Sequence, residues 1–355
     1  MFMKGSFFVF FIFCCTNIFA QTDIVKYLPK GYVTDGSIDY TVYLQKGIDE
    51  NKNVLMPNFP VLVNKRGLNL NSNQTVAFQS NSVIKMKPNA EPNYGVLNLV
   101  NIKNVKILDP HLIGDKDKHL SRSGEWGMGI NILSSGNISI TNPKISKMWG
   151  DGIYIGEINY KFRPQYNLEN YFSTGILIRG GLIDDNRRNG ISVISVKGLS
   201  ISGTIIQNTA GTMPMAGIDI EPNDNGQFLE DIILSNIITK NNAEIGIKYV
   251  PVSFFGDSKK TVTITIENCH DIGSKTGLVI GGAKGGYKGP RQDGRIIVKH
   301  FKSESNITPV STGSIQYFSP KIEIQNLSIY RKKTRDLKSE QDTKKSLLSR
   351  GMDVN

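Results

Sequence analysis

The 355-residue sequence predicts an all-β fold, a right-handed parallel β-helix (solenoid) with a short capping helix near its N-terminus. Two observations lead to this fold: a short glycine-led motif recurs along the chain, and apolar and polar residues alternate inside each copy. Alternation with a period of two indicates strands, and repetition every few tens of residues indicates stacked repeats.

Each copy of the motif has a glycine, an aliphatic residue, a variable residue and a second aliphatic residue. The glycines are Gly95 (a looser copy), Gly129, Gly152, Gly190, Gly217, Gly246 and Gly277. Successive glycines are 23 to 38 residues apart, whereas a propeller blade needs ~40–45 residues. The β-branched residues Ile and Val dominate, which argues against helical repeats. Coils stacked at ~4.8 Å, each covering the interior face of its neighbour, fit all of these features.

The first twenty residues have the pattern of a signal peptide. Lys4 supplies the positive charge, an apolar run follows, and Ala20 provides a small residue before a cut. We therefore expect export, to the periplasm or out of the cell, with cleavage after Ala20. A lipid anchor on Cys14 or Cys15 is disfavoured because Phe13 stands where a small residue is needed.

The remaining chain divides into two segments. Residues 21–330 carry the coil motifs and form the expected β-helix domain, with a helix from Asp39 to Asn51 covering its first coil. Residues 331–355 lack the motif and hold eight Lys or Arg against four Asp or Glu. We expect this charged tail to be a frayed helix or disordered. No second apolar run is long enough for a transmembrane segment.

Composition limits the classes of function. The formal net charge is +11, and such a basic surface favours polyanions. The export signal and the scattered distribution of basic residues argue against nucleic acid as the partner. Once the signal peptide is removed, Cys269 is the single cysteine, so the fold does not depend on an internal disulfide.

Several stretches resemble known families. Val54-Leu55-Met56-Pro57, followed by Gly67-Leu68-Asn69-Leu70, resembles the entry of the pectin-lyase-like superfamily, and Gly150-Asp151-Gly152-Ile153 resembles a coil motif of polygalacturonase-like glycoside hydrolases. Gly124-Glu125-Trp126-Gly127 and Gly217-Ile218-Asp219-Ile220-Glu221 look typical of uncharacterised bacterial right-handed β-helix proteins. The resemblance covers residues 33–325 and implies this fold and a polysaccharide partner.

The resemblance does not give a reaction. Polygalacturonases carry a paired-Asp coil, a Gly-His-Gly coil and an Arg-x-Lys segment, and none of these is in place here. Pectate lyase signatures are also absent. Function must therefore be argued from the site and not from the fold.

Strand alternation selects the candidate site. With the aliphatic residues inside, the variable position of each motif faces outward. These positions form a column: Asn131, Tyr154, Ser192, Asp219 and Lys248. Asp219 and Glu221 then lie on the same face, ~6.5–7 Å apart along the strand. Such a pair suits glycoside hydrolysis, with Lys248 keeping Asp219 ionised.

Other interpretations of these residues stay open. The column could be the ordinary polar exterior of a solenoid, and Asp219, Glu221 and Asp224 could instead bind calcium, the one cofactor that the sequence suggests. In a β-elimination, Arg188 would neutralise a uronate and Lys248 or Tyr154 would be the base.

Two further groups complete the candidates. Asp151, Arg187 and Arg188 lie in turns before their strands, where an arginine can clamp a substrate carboxylate, and Trp126 and the aromatic insertion from Tyr160 to Tyr171 could stack on sugar rings. A second cluster combines acidic residues with histidines, either as a metal site or as a solvated loop. It comprises His111, Asp115, Asp117, His119 and Glu125.

Together these observations predict a secreted carbohydrate-active protein that cleaves an acidic polysaccharide by hydrolysis or by β-elimination. The alternative is a non-catalytic glycan-binding module of the adhesin or tailspike type. The catalytic candidates are Asp219, Glu221, Asp151, Arg188 and Lys248. The substrate-binding candidates are Asn131, Tyr154, Ser192, Arg187 and Trp126.

Overall fold

The computed structural model describes residues 21–158, 171–251, 254, 259–281, 292–312 and 320–355. In these residues the strands form three long sheets whose neighbouring strands are parallel, apart from one antiparallel pair near the C-terminus. The predicted all-β, right-handed parallel β-helix is therefore confirmed. The predicted signal peptide, residues 1–20, and most of the aromatic insertion, residues 159–170, lie outside the described residues.

Each complete coil passes from sheet 1 through sheet 2 to sheet 3. The described strands of sheet 1 are Leu68–Asn69, Asn93–Val100, Trp126–Leu133, Ile153–Gly156, Asn189–Val193, Ala216–Ile220, Ile245–Tyr249, Thr276–Ile280 and Thr308–Thr312. Those of sheet 2 are Thr22–Asp23, Asn53–Leu55, Thr75–Ala77, Lys103–Leu108, Gly136–Thr141, Ser173–Arg179, Val196–Ser202, Leu229–Ser235, Thr261–Glu267, Asp293–Lys299, Lys321–Gln325 and Asp353–Val354. Those of sheet 3 are Pro60–Val63, Val83–Met86, His111–Ile113, Lys144–Ser146, Leu182–Asp184, Ile205–Gln207, Ile238–Lys240, His270–Ile272, Lys302–Glu304, Ser328–Arg331 and Thr334–Arg335.

The core is a set of aliphatic columns inside the three sheets. In sheet 1, the first aliphatic position of the motif pairs from coil to coil in unbroken register. The column contains Ile130, Ile153, Ile191, Ile218, Ile247 and Leu278. Every member is buried. Because each coil covers the next, burial of these side chains is the main stabilising contribution of the repeat.

The motif begins with glycine because neighbouring coils approach each other closely there. A Cβ added at Gly190 would lie 2.5 Å from the carbonyl oxygen of Gly217, and one added at Gly217 would lie 2.7 Å from that of Gly246. Contacts this short with backbone atoms leave no room for a side chain. The repeated glycine is therefore a packing requirement of the stack.

The turn from sheet 2 to sheet 3 explains the Asn-rich and Gly-rich punctuation. In eight coils, from the strand Lys103–Leu108 onward, the residue directly after the sheet 2 strand has a left-handed φ between 48° and 65°. These residues are Asp109, Asn142, Gly180, Gly203, Asn236, Asn268, His300 and Asn326. Glycine and asparagine tolerate this conformation best.

Helices cover both ends of the described solenoid. The predicted N-terminal helix is present as α1, Thr41–Glu50, which buries Leu44 and Ile48. Short 3₁₀ turns occur at Ile24–Tyr27 and Lys116–Lys118. No helix in the described ranges is long and apolar enough to cross a membrane.

The C-terminal tail contains a helix, one of its two expected states, but this helix is packed against the solenoid and not frayed. Residues 337–348 form a second helix, α2, and the strand Asp353–Val354 extends sheet 2 by pairing with Lys321–Gln325. Leu347 and Met352 of this segment are buried against the solenoid. The tail therefore caps the solenoid. The sequence did not predict this cap, because the apolar residues of the tail are few and lie among charged residues.

Candidate functional site

The outward column of sheet 1 is present as predicted. Asn131, Tyr154, Ser192, Asp219 and Lys248 pair in register on successive strands. Strand alternation and the stacking of the coils together determine this geometry. Ser192, Asp219 and Lys248 are buried, although outward residues of a solenoid are ordinarily exposed to solvent.

The centre of the site is one ammonium group between two carboxyl groups. Lys248 Nζ lies 2.7 Å from Glu221 Oε2 and 3.2 Å from Asp219 Oδ1. Asp219 is only 1% exposed and Lys248 9%, whereas the Glu221 side chain is 33% exposed. Glu221 is therefore the member of this group that is most open to a ligand.

A second ion pair lies at the edge of the sheet where these strands begin. Arg188 Nη1 donates hydrogen bonds of 3.3 and 3.0 Å to the two oxygens of Asp151, which is completely buried. Arg188 Nε also lies 3.8 Å from Glu125 Oε2. The turns before Gly152 and Gly190 thus bring Asp151 and Arg188 together, as their positions in the sequence predicted.

Two polar side chains connect this ion pair to Asp219. The Ser192 hydroxyl donates to Asp151 Oδ2 at 2.7 Å. Asn189 Nδ2 donates to Ser192 Oγ at 3.0 Å and to Asp219 Oδ2 at 3.2 Å. Ser192 and Asn189 are both fully buried. We call this continuous group, from Glu125 and Asp151 to Lys248 and Glu221, the sheet 1 network.

Sequence reasoning missed Asn189. A signal was present: the residue before the motif glycine is polar in two consecutive copies, Asp151 and Asn189, and apolar in the next two, Ala216 and Ile245. Two polar residues at one buried level of adjacent coils must bond to each other or to neighbouring polar groups.

Burial dominates the electrostatics of Asp219. Burial raises the pKa of Asp219 to about 7; the Lys248 charge opposes this rise, while the Glu221 charge adds to it. Lys248 acts in the expected direction but does not keep Asp219 ionised as expected, because desolvation of the carboxylate outweighs one ammonium shared with a second carboxylate. Asp219 can carry a proton at neutral pH.

The other ionisable groups of the network have different roles. Burial also raises the pKa of Asp151, although Arg188, Ser192 and the Asn189 backbone oppose the rise. Burial and the nearby Asp151 raise the pKa of Tyr154 to about 12, so its phenol stays protonated at neutral pH. Burial would lower the pKa of Arg188, but Asp151 and neighbouring acids raise it overall.

The remaining substrate-binding candidates lie apart from Asp219. The Arg187 guanidinium stacks 3.7 Å from the centre of the Trp149 ring, and its Nη1 donates to the carbonyls of Gly124 and Trp149. Because of these contacts, the Arg187 guanidinium packs against the side of the solenoid and does not face the open surface where a substrate would bind. Trp126 begins its strand beside Glu125 and is 45% exposed, so its ring can contact a ligand at the edge near Arg188.

The acidic and histidine cluster divides into separate groups. Asp115 accepts hydrogen bonds from Tyr94 and His119, and His119 stacks on Trp149 with 4.0 Å between ring centres. Both Asp115 and His119 have fully buried side chains, which excludes the solvated loop. Asp117 instead pairs with Lys147 at the surface.

A calcium site at Asp219 has no geometric support. Among the described residues, no three His, Cys, Asp or Glu side chains come together as metal ligands. The space between Asp219 and Glu221, where a cation would have to bind, holds the Lys248 ammonium.

The fold and this network define the class of protein as a right-handed parallel β-helix with a polar network on one sheet. No protein-family model matches the sequence. The uncharacterised protein YclG of Bacillus subtilis is 28% identical over 229 residues, which are 62% of this chain and 37% of YclG. The chain thus spans little more than a third of that relative.

Solved structures have the same fold. The polygalacturonase of Erwinia carotovora superposes with a TM-score of 0.59 at 12% identity, over 85% of this chain and 93% of the enzyme. The tailspike protein of Escherichia coli bacteriophage HK620, solved with a pentasaccharide, superposes with a TM-score of 0.64 at 12% identity, over 88% of this chain and 57% of the tailspike. At these identities the likeness shows the fold alone.

Proposed function

We propose that this protein is an exported carbohydrate-active β-helix that hydrolyses glycosidic bonds in an acidic polysaccharide. The observation that carries the proposal is the pairing of Asp219, whose pKa is raised to about 7, with the more exposed Glu221. Both contact one ammonium group, so their facing oxygens are no more than ~6 Å apart, close enough for both carboxyl groups to reach one glycosidic bond.

The two carboxyl groups take different roles. Asp219 supplies a proton to the glycosidic oxygen, the C–O bond breaks, and its electron pair goes to that oxygen. Glu221, as the carboxylate, either removes a proton from the attacking water or attacks the anomeric carbon before water does. Over the full reaction one water is consumed and Asp219 regains its proton. Asp219 lies beneath Lys248 and Glu221, so substrate binding must displace the Lys248 side chain.

The geometry favours hydrolysis over β-elimination. Elimination needs a cation for the uronate and a base for the C5 proton. Arg188 is already engaged by Asp151 and Glu125, and Lys248 by Asp219 and Glu221. Tyr154, with a pKa of about 12, is protonated at neutral pH and so is a poor base there.

An anionic substrate fits the charge of the chain. The sequence carries a net charge of +11. Beside the C-terminal ends of the sheet 1 strands, Lys197 and Lys260 lie 4.4 and 5.1 Å from the centre of the Phe228 ring. Lys197 also pairs with Glu230 at 3.3 Å. Ammonium groups next to an aromatic ring suit an acidic sugar, whose ring can also contact the aromatic edge.

A polysaccharide screen tests the proposal. Purified protein is incubated with uronate-containing, sulfated and neutral polysaccharides, and new reducing ends are measured together with absorbance in the enone band. Hydrolysis predicts reducing ends without absorbance. Absorbance that rises in step with the reducing ends would assign a lyase. The matched control is Glu244→Gln, a carboxylate paired with Lys275 outside the network.

A non-catalytic glycan-binding module is the second candidate. The specific observation in its favour is the deep burial of Asp151 and Asp219, which a purely structural polar network would share. The tailspike protein, whose fold is similar, was solved in complex with a pentasaccharide. Retention on an immobilised polysaccharide without any product, unchanged by Asp219→Asn, would assign this role.

A further inference from the structure

One hydrogen-bonded group sets the orientation of the sheet 1 network. The side-chain oxygen of Asn189 accepts a hydrogen bond from the Ala216 backbone N–H at 3.0 Å. A backbone N–H can only donate, so this contact fixes which end of the Asn189 amide is oxygen. The amide nitrogen must then face Ser192 and Asp219.

The remaining hydrogens follow in sequence. Both hydrogens of Asn189 Nδ2 are used, one toward Ser192 Oγ and one toward Asp219 Oδ2. Ser192 therefore accepts from Asn189 and gives its own hydrogen to Asp151 Oδ2. Asp151 Oδ1 accepts from the Asn189 backbone N–H at 3.0 Å and from Arg188. Both oxygens of Asp151 are thus occupied by donors.

Asp219 differs from Asp151 in one oxygen. Oδ2 accepts from Asn189, whereas the buried Oδ1 has no hydrogen-bond partner among the described residues, although Lys248 Nζ lies 3.2 Å away at a poor angle. We infer that the proton of Asp219 resides on Oδ1, and that Asn189 is the positioning residue that places it there, on the side of Lys248 and Glu221. The inference rests on the proposed hydrolysis only for its catalytic use.

The charged and titratable groups around Asp219 are few. Lys248 approaches from the next strand, Glu221 from the end of its own strand, and Arg188 from the preceding coil. Asn189 is the neutral donor among these contacts. Removing it withdraws a hydrogen bond that favours the ionised carboxyl.

The experiment compares two asparagines of one turn. Asn189→Leu removes the donor and replaces the amide with a side chain of similar branching and somewhat larger volume, so water does not replace the amide. Asn186→Leu is the matched control, because Asn186 is equally buried and accepts the Met148 backbone N–H at 3.0 Å but does not bond to Asp219. Asn189→Asp keeps the shape and the acceptor for Ala216, in case the leucine variant does not fold.

The readout is the titration of the Asp219 carboxyl carbon by NMR, with aspartate-selective carbon-13 labelling and Asp219→Asn for assignment. We expect the apparent pKa to rise by about one unit in Asn189→Leu and by more in Asn189→Asp, and to stay at the wild-type value in Asn186→Leu. If hydrolysis is found, the alkaline limb of kcat/KM moves with the titration in the Asn189 variants alone.

Two results would overturn the inference: an unchanged Asp219 titration in both Asn189 variants, or equal shifts in Asn189→Leu and Asn186→Leu. The titration does not depend on turnover. A shifted titration in a protein that cleaves no polysaccharide would therefore reject the proposed hydrolysis and keep the position of the proton.

Discussion

Lys248 Nζ lies 3.2 Å from Asp219 Oδ1, yet this pairing does not keep the pKa of Asp219 low. Burial raises it, and the ammonium has its shorter contact, 2.7 Å, with Glu221. One positive charge is thus divided between two carboxyl groups, and the more deeply buried of them holds a proton near neutral pH. The ammonium thus links a buried carboxyl group of raised pKa to a more exposed one.

The first prediction concerns turnover. Asp219→Asn and Glu221→Gln should each lower the rate of polysaccharide hydrolysis by ~10²–10⁴-fold, because each removes one proton-transfer group. We expect Asp219→Asn to change the melting temperature little at neutral pH, since a buried amide resembles the neutral carboxyl that it replaces. The measurements are initial rates of reducing-end formation and thermal melts.

Glu244→Gln should leave the rate unchanged. Wild-type rates in both site variants would place the site elsewhere on the solenoid. A large loss of stability in Asp219→Asn would instead show that its ionised form is structural.

The second prediction concerns pH and stability. Asp271 points into the core from sheet 3, is fully buried, and accepts hydrogen bonds from Thr239, Ser274 and Asn306 at 2.6, 2.7 and 2.5 Å. Burial raises its pKa to about 6 from an ordinary 3.8. The folded state therefore binds this proton more tightly than the unfolded state does. The stabilisation is complete below about pH 4 and is lost as pH rises through about 6.

Asp271→Asn removes this titration. Denaturant unfolding of both proteins between about pH 4 and pH 7 should show the wild type losing on the order of 2–3 kcal/mol relative to Asp271→Asn across that window. The comparison is between slopes, so a constant cost of the substitution does not matter. Parallel pH profiles would show that Asp271 titrates alike in the folded and unfolded chains.

Local patterns explain why the fold and the column could be predicted. At the motif glycine, an added Cβ would lie as close as 2.5 Å to a carbonyl oxygen of the next coil, so only glycine fits. This glycine and the alternating aliphatic residues after it specify one strand of the stack from a few adjacent residues. Alternation also places Asp219 and Glu221 on one face without knowledge of any other coil.

Burial of that face could not be predicted in the same way. Asp151 and the Asn189 backbone are 38 residues apart, and the contact between them depends on how two turns pack. The pKa of Asp219 follows from that packing and not from its neighbours in sequence. The C-terminal cap was missed for a related reason: α2 buries Leu347 and Glu340, too few residues to give an amphipathic pattern.

The third prediction concerns the glycine column. Gly217→Ala would place a Cβ 2.7 Å from the Gly246 carbonyl oxygen and 2.8 Å from a Thr239 methyl group. The coils must separate locally, and we expect a loss of ~1–3 kcal/mol in unfolding free energy. Gly226→Ala is the control, since the nearest atom to its Cβ is an Asp224 carboxyl oxygen at 3.0 Å, on an exposed side chain. Equal melting temperatures for the two variants would contradict close packing of the column.

The last prediction concerns the C-terminal cap. Adjacent leucines of α2 provide a matched pair, because Leu347 is 2% exposed and packs in the core whereas Leu348 is 53% exposed. Leu347→Ala should cost ~2–4 kcal/mol of unfolding free energy, as truncation of a buried leucine does, and Leu348→Ala should cost less than ~0.5 kcal/mol. Denaturant unfolding of the full chain measures both. Because α2 and the strand Asp353–Val354 close the last coil, deletion of residues 332–355 should lower the melting temperature further than Leu347→Ala does. A truncated chain that melts like the wild type would show instead that the solenoid ends at the strand Ser328–Arg331 and that the tail only rests against it.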